Sequence, residues 1–215
     1  MKDKSVVLIT SSAPRHQFFV ETMSERLDVR LVISEEGDVN TEDIVNLIEG
    51  VDPDIIFTFG CNLLKGNIYK LPKLGCVNIH TGLVQNYRGV DSSFWAMRDR
   101  KPEAVGFTLH FVDDSIDAGD VIFQGRPKLS RADSLDDVFL KTCKEAIESL
   151  ARKAPEIMEG VAPAKLARRG KLYQSKDMSL EIKTKVEKML PDVLSGYLDN
   201  KQERDKEIEL ISCLT

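Results

Sequence analysis

Residues Gly75 to His80 read as a strand, and within it Asn78 and His80 stand two apart, so an amide and an imidazole share one face. An amide can donate to an oxygen that gains negative charge, and an imidazole can pass a proton near neutral pH. The same spacing also fits an asparagine that ties down the next loop and a satisfied core histidine. A third group, Asp117, sits in the acidic, glycine-containing stretch Asp113–Asp120, where Asp113 and Asp114 read as solvated or turn-capping carboxylates. The four cysteines, Cys61, Cys76, Cys143 and Cys213, form no C-x-x-C pair, and the histidines are His16, His80 and His110. This pattern suggests neither a disulfide framework nor a zinc site, so no metal is expected.

The elements that must position these groups follow from hydrophobic pattern. Ser5–Thr10, Val29–Ile33 and Asp54–Phe59 are short apolar strands, separated by helical patterns over Pro14–Leu27 and Thr41–Ile48. Continuous apolar strands alternating with helices indicate parallel βαβ units covered on both faces, hence an α/β, doubly wound, mostly parallel sheet. Pro14 suits a first helical turn, and Asn40 or Thr41 can cap the second helix. An irregular segment, Thr81–Val90, follows the Asn78/His80 strand, and a helix over Ser92–Arg100 is expected to be capped by the Asp91 carboxylate. Ala104–Val112 and Val121–Leu129 read as two more strands, an antiparallel addition, and Ser134–Met158 reads as a long amphipathic helix.

From Pro163 onward the chain is first basic, with Lys165, Arg168, Arg169, Lys171 and Lys176, then helical with a break expected at Pro191. The densely charged Asn200–Glu209 stretch is expected to fray. The reading is therefore a main domain over 1–160 and a short helical C-terminal appendage over 161–215, packed on the domain or on a second subunit, so a homodimer is possible. A net charge of −5 argues against a nucleic-acid partner. No apolar run reaches a membrane span, and the opening Met1-Lys2-Asp3-Lys4 leads into an apolar run too short for a signal, which points to a cytoplasmic protein. After the first strand stands Thr10-Ser11-Ser12-Ala13-Pro14 rather than G-x-G-x-x-G, which disfavours dinucleotide binding.

Taken in order, Val77–Gly89 with its N-x-H, then Gly106–Phe111, then Asp113–Asp120, resembles the formyltransferase family that uses 10-formyltetrahydrofolate. There the pattern reads N-x-H, a loop ending L-L-P-x-Y-R-G, G-x-T-x-H and D-x-x-x-D-x-G. The resemblance covers roughly Asp54 to Leu129, more weakly the units before it, and departs at Leu83-Val84-Gln85, where the family has Leu-Leu-Pro. It implies a Rossmann-like core and a formyl group moved from 10-formyltetrahydrofolate to an amine through a tetrahedral oxyanion. By position, Asn78 matches the donor to the formyl oxygen, and His80, protonated, a second donor beside it. Asp117 matches the carboxylate that orients the imidazole or accepts a proton, with His110 as structural support. The pterin ring would lie against two loops, giving Cys61, Asn62, Leu64, Val112, Asp113 and Ile116 as cofactor-binding positions, with Leu63 also walling the hollow. Thr81, Tyr87 and Arg88 would meet the acceptor.

Three acceptors fit the family. A glycinamide ribonucleotide enzyme is expected to carry a glycine-rich phosphate loop after the first strand, and Ser11-Ser12-Ala13-Pro14 is not one. An initiator methionyl-tRNA enzyme is expected to carry a further β-barrel and a basic surface. A sugar-nucleotide amine remains, with hydrolysis of 10-formyltetrahydrofolate and a non-catalytic folate-binding module as the other readings.

Overall fold

The computed structural model describes residues 4–35 and 37–214, so Met1 to Asp3 of the N-terminal opening lie outside the described residues. Among those residues, six strands form one sheet in the order β2-β1-β3-β4-β6-β7. The strands are β1 (Val6–Ser11), β2 (Val29–Glu35), β3 (Ile55–Phe59), β4 (Cys76–His80), β6 (Phe107–Phe111) and β7 (Val121–Gly125). The first four run parallel, and β6 and β7 are added antiparallel.

Every residue from Val6 to Thr10 and from Ile55 to Phe59 is buried, because both faces of the sheet are covered. The alternation is visible in where the side chains go. Val6 and Leu8 join the core under α1 (Pro14–Ser24) and α4 (Leu135–Glu159), while Val7 and Ile9 join the core on the face of α2 (Glu42–Val51). Thr41 caps α2 by accepting from the Ile44 amide, and Ser134 with Asp137 forms a capping box on α4. The chain leaves β1 toward β2 and returns to β3 on the other side, so the crevice at the carboxyl ends of these strands is a topological switch point.

Several elements differ from the sequence reading. The first helix stops at Ser24, three residues short of Leu27. Asp91 does not cap α3 (Ser92–Arg98) with its carboxylate; it sits in the left-handed region at φ 56° and offers no side-chain bond. The segment 81–90 is not wholly irregular, since Tyr87–Gly89 forms β5 and pairs in parallel with β8 (Lys171–Tyr173).

Helix α5 (Leu180–Asp199) runs through Pro191 without ending. Proline removes the hydrogen bond to the residue four before it, Glu187, but both residues are exposed, so water serves that carbonyl. The opposite side of the helix, with Leu190, Val193, Leu194 and Tyr197, packs in one cluster with Trp95 and Met97 of α3, and that burial holds the helix together.

Nor does the charged end fray. It forms α6 (Lys201–Asp205), with Arg204 paired to the buried Glu103 at 2.6 Å. Beyond it, Gln124 N–H donates to Ile211 and Cys213 N–H to Ile122, so the chain end covers the outer edge of β7.

Candidate active site

Adjacent strands in register carry a polar row across the sheet. Thr58 of β3 lies opposite Asn78 of β4, which lies opposite His110 of β6. The Thr58 hydroxyl donates to Asn78 Oδ1 at 2.8 Å, and Asn78 Nδ2 is 3.2 Å from His110 Nε2. His110 Nδ1 lies 2.8 Å from the Phe111 carbonyl, which can only accept. With Nδ1–H committed there and the Thr58 hydroxyl donating to Asn78 Oδ1, the Asn78 amide presents its NH₂ to Nε2 of His110 and keeps a second N–H for a ligand. His110 therefore sets the orientation of the amide and itself lines the hollow, beyond the supporting position read from sequence.

His80, the last residue of β4, is buried. Its Nδ1 is 3.4 Å from Asp117 Oδ2, and its Nε2 is 3.1 Å from the Tyr87 carbonyl and 3.2 Å from the Ser92 hydroxyl. Asp117 reaches in from the β6–β7 loop, takes the Gly89 N–H at 2.9 Å and lies 3.7 Å from His110 Nε2. It holds φ +45°, a left-handed conformation that is costly for a residue with a Cβ and persists only when its surroundings fix it.

Burial pushes the His80 pKa below its ordinary value, and the adjacent Asp117 charge offsets this only in part. Burial pushes Asp117 the other way, but the imidazoles beside it and the Gly89 N–H outweigh it and hold the carboxyl well below the usual carboxylate range. Asp117 is therefore held ionised, and burial makes the His80 ring give up its proton more readily than a free imidazole. The Asn78 amide can donate to an oxyanion whatever the charge on His80.

These groups line a hollow of about 380 Å³. Cys61, Asn62, Leu63, Leu64, Val112 and Ile116 all border it, and Thr81 lies at the same opening. Leu63 and Ile116 remain 44% and 38% exposed, an apolar surface fit to cover a flat ring. Asp113 does not border the hollow; its carboxylate accepts from the Ser115 amide at 2.8 Å.

Tyr87 and Arg88 do not border it either. The Tyr87 ring is buried in the second core with its hydroxyl on Asp99, and Arg88 spends Nε on Gly170 O and Nη1 on Ile116 O. Side-chain contact of these two with an acceptor is corrected accordingly: Tyr87 turns inward because its ring fills the α3 and β8 core, and Arg88 is held by backbone carbonyls.

The sequence reading gave Arg15 and Phe139 no role and Asp91 only a capping one, yet all three border the hollow. An arginine one residue after the helix-initiating Pro14 was the available signal. An adjoining hollow of about 710 Å³ shares Gly60, Cys61, Asn62 and Leu63 and extends toward Ser11, Asp38 and Lys65. Gln85, in the place of the family's proline, exchanges two amide hydrogen bonds with Gln124 at 3.0 and 2.7 Å. Gln124 also reaches Thr108, whose hydroxyl donates to Gly82 O, so the loop without proline is braced from the sheet.

The structure thus brings an asparagine, a histidine and an aspartate together at the carboxyl edge of a mostly parallel α/β sheet. The profile of the family described as formyl transferase matches residues 3–154, and the chain belongs to that family. It is 26% identical over 146 residues to the methionyl-tRNA formyltransferase of Halothermothrix orenii, covering 67% of this chain and 45% of that protein. It is 29% identical over 122 residues to the GDP-perosamine N-formyltransferase of Brucella melitensis, covering 56% and 47%. The chain thus spans less than half the length of these curated relatives. In fold it is similar to the formyltransferase PseJ of Anoxybacillus kamchatkensis, solved with a formamido sugar nucleotide and tetrahydrofolate. That match has a TM-score of 0.64 and 19% identity, and it covers 88% of this chain and 99% of the other.

Among the described residues no group of three or more His, Cys, Asp or Glu is arranged to hold a metal ion, and no helix is long and apolar enough to cross a membrane.

Proposed function

We propose that this protein transfers a formyl group from 10-formyltetrahydrofolate to the primary amine of an amino-sugar nucleotide. The observation that carries formyl transfer is the convergence of the Asn78 amide, with its NH₂ oriented by Thr58 and His110, and the His80–Asp117 pair at one hollow. The acceptor reading draws on the solved sugar-nucleotide relative, on the absence of a glycine-rich turn at Ser11–Pro14, and on the net charge of −5.

The hollow fits a reduced pterin: Leu63, Leu64, Val112 and Ile116 supply apolar walls, and the backbone of 61–64 supplies polar groups at the rim. 10-Formyltetrahydrofolate, when bound, supplies an activated formyl group, so no covalent enzyme intermediate is needed. Asn78 donates its spare N–H to the formyl oxygen as negative charge grows there.

The attacking amine must lose a proton. A carboxylate held well below its usual range is a poor base, so His80 takes the proton and Asp117 orients it. Once protonated, His80 has an N–H for each of its two pure acceptors, the Asp117 carboxylate and the Tyr87 carbonyl, which stabilises the imidazolium. That proton is then available for the departing folate nitrogen.

The test is turnover with 10-formyltetrahydrofolate against a panel of 3-amino and 4-amino sugar nucleotides, glycinamide ribonucleotide and methionyl-tRNA, using wild type, Asn78→Ala and His80→Ala. Formylation of a sugar nucleotide, lost in both variants, is expected. Transfer to methionyl-tRNA or glycinamide ribonucleotide instead would replace the acceptor, and release of formate without an amine would make the enzyme a hydrolase.

A further inference from the structure

We propose that Arg88 is a positioning residue for the reaction, and that the C-terminal strand β8, gripped through it, is part of what holds the Asp117 carboxylate in place; this rests on the formyl-transfer reading above. The guanidinium donates Nε–H to Gly170 O at 2.9 Å and Nη1–H to Ile116 O at 3.0 Å. The Ile116 carbonyl belongs to the peptide group leading directly into Asp117, the residue held at φ +45°. One planar fork therefore ties the segment before β8 to the peptide that sets the orientation of the carboxylate.

The neighbouring bonds act in the same direction. Gly89, next to Arg88, donates its N–H to Asp117 Oδ2, and Val90 N–H donates to Tyr173 O. At φ +80°, Gly89 lies so close to β8 that a Cβ there would stand 2.1 Å from Tyr173 O. Gly170 N–H in turn donates to Val84 O. The Asp117 carboxylate and the peptide before it are thus held by two consecutive residues of β5, and β5 is held by residues 170–173. A substrate-binding arginine would leave donors turned to the hollow; here two are spent on backbone carbonyls and the residue does not border it.

Arg88→Lys keeps the charge and loses the fork, since one ammonium cannot occupy both positions. With the sugar nucleotide that wild type formylates, kcat is expected to fall by about 10- to 100-fold, the range for a reacting group displaced by an ångström or less. KM for donor and acceptor should stay within about twofold, as should the calorimetric affinity for 5-formyltetrahydrofolate, a stable donor analogue. Arg88→Gln, which retains a single amide donor, is the second variant and should show the same division between kcat and KM.

A readout that needs no acceptor is the titration of His80 by NMR in histidine-labelled protein. Retreat of Asp117 removes the charge that raises the His80 pKa, so in Arg88→Lys the ring should titrate at lower pH than in wild type. An unchanged titration together with unchanged kcat would overturn the proposal. A raised KM or weakened folate binding at wild-type kcat would also overturn it, making Arg88 a ligand contact. If wild type formylates none of the amines, the formyl-transfer reading fails, while the His80 titration still decides whether Arg88 positions Asp117.

Discussion

Replacement of Gly60 by alanine tests how the 60–64 wall of the hollow is built. Gly60 follows β3, borders both hollows and holds φ +62°, and an added Cβ would stand 2.3 Å from Cε1 of His16. His16 cannot easily move. It is fully buried, its Nδ1 is 2.7 Å from the Thr10 hydroxyl and 3.1 Å from the Phe59 carbonyl, and its ring stacks on Phe59 at 4.9 Å. The left-handed backbone costs alanine about 1–2 kcal/mol. Forcing a methyl group into a packed site adds about 1–3 kcal/mol, so Gly60→Ala should lose roughly 3 kcal/mol in all.

The second part depends on the imidazole. In a His16→Ala background the clash is gone and the same replacement should cost only the backbone part, about 1–2 kcal/mol. Urea unfolding of wild type, both single variants and the double variant closes the cycle, with an expected coupling of about 1–3 kcal/mol. Additivity to within about 0.5 kcal/mol would refute the idea that His16 fills the space beneath Gly60. Because Gly60 opens the 61–64 wall, Gly60→Ala should also weaken 5-formyltetrahydrofolate binding about tenfold by calorimetry, equivalent to roughly 1.4 kcal/mol.

Asn78→Ala should lower kcat by about 10²- to 10³-fold while leaving folate affinity nearly intact, as expected for a donor that acts on developing charge. Burial lowers the pKa of His16, as it does that of His80. A depressed histidine leaves stability fully present above the unfolded value of 6.5 and loses it as pH falls through the folded value. Unfolding free energy should therefore decline below pH 6.5 by up to about 1.4 kcal/mol per pH unit for each ring, and His16→Gln should remove one of the two contributions in melts between pH 7 and 5. Gln124→Leu leaves the Gln85 amide and the Ile211 N–H without their partner, and should cost about 1–3 kcal/mol and speed hydrogen exchange over residues 82–87. Arg204→Ala strands the buried Glu103 carboxylate and should cost about 3 kcal/mol in thermal melts, without changing KM.

Much of the positioning scaffold was legible because its causes are local. Val6–Ile9 and Ile55–Phe59 are continuous apolar runs, and such runs form strands where both faces are covered. Asn78 and His80 share a face simply because strand geometry repeats every two residues. Gly60, Asn62 and Arg15 meet at one crevice through the order of the strands, which no single segment encodes.

The pairing of Tyr87–Gly89 with Lys171–Tyr173 carries no periodic signal, since three residues are too few and their partner is remote in sequence. Pro191 misled for the opposite reason: a local rule ends helices at proline, and burial of Leu194 and Tyr197 overrode it. The Asp91 carboxylate fits a cap by type, but its backbone occupies the left-handed region rather than the extended one typical of an N-cap.

Pairing β5 with β8 also has a consequence for synthesis. The first six-stranded layer is complete in sequence at Gly125, so its core can begin to collapse while the ribosome is still making the tail. The strand that braces Gly89 is not made until Tyr173, and its closing loop is long, with an entropic cost paid before its few bonds return anything. A nascent or truncated chain can therefore own a folded sheet and still lack the strand that braces the Gly89 contact to Asp117. The brace on Gly89 is therefore completed only once residues 171–173 have been made and have closed on β5.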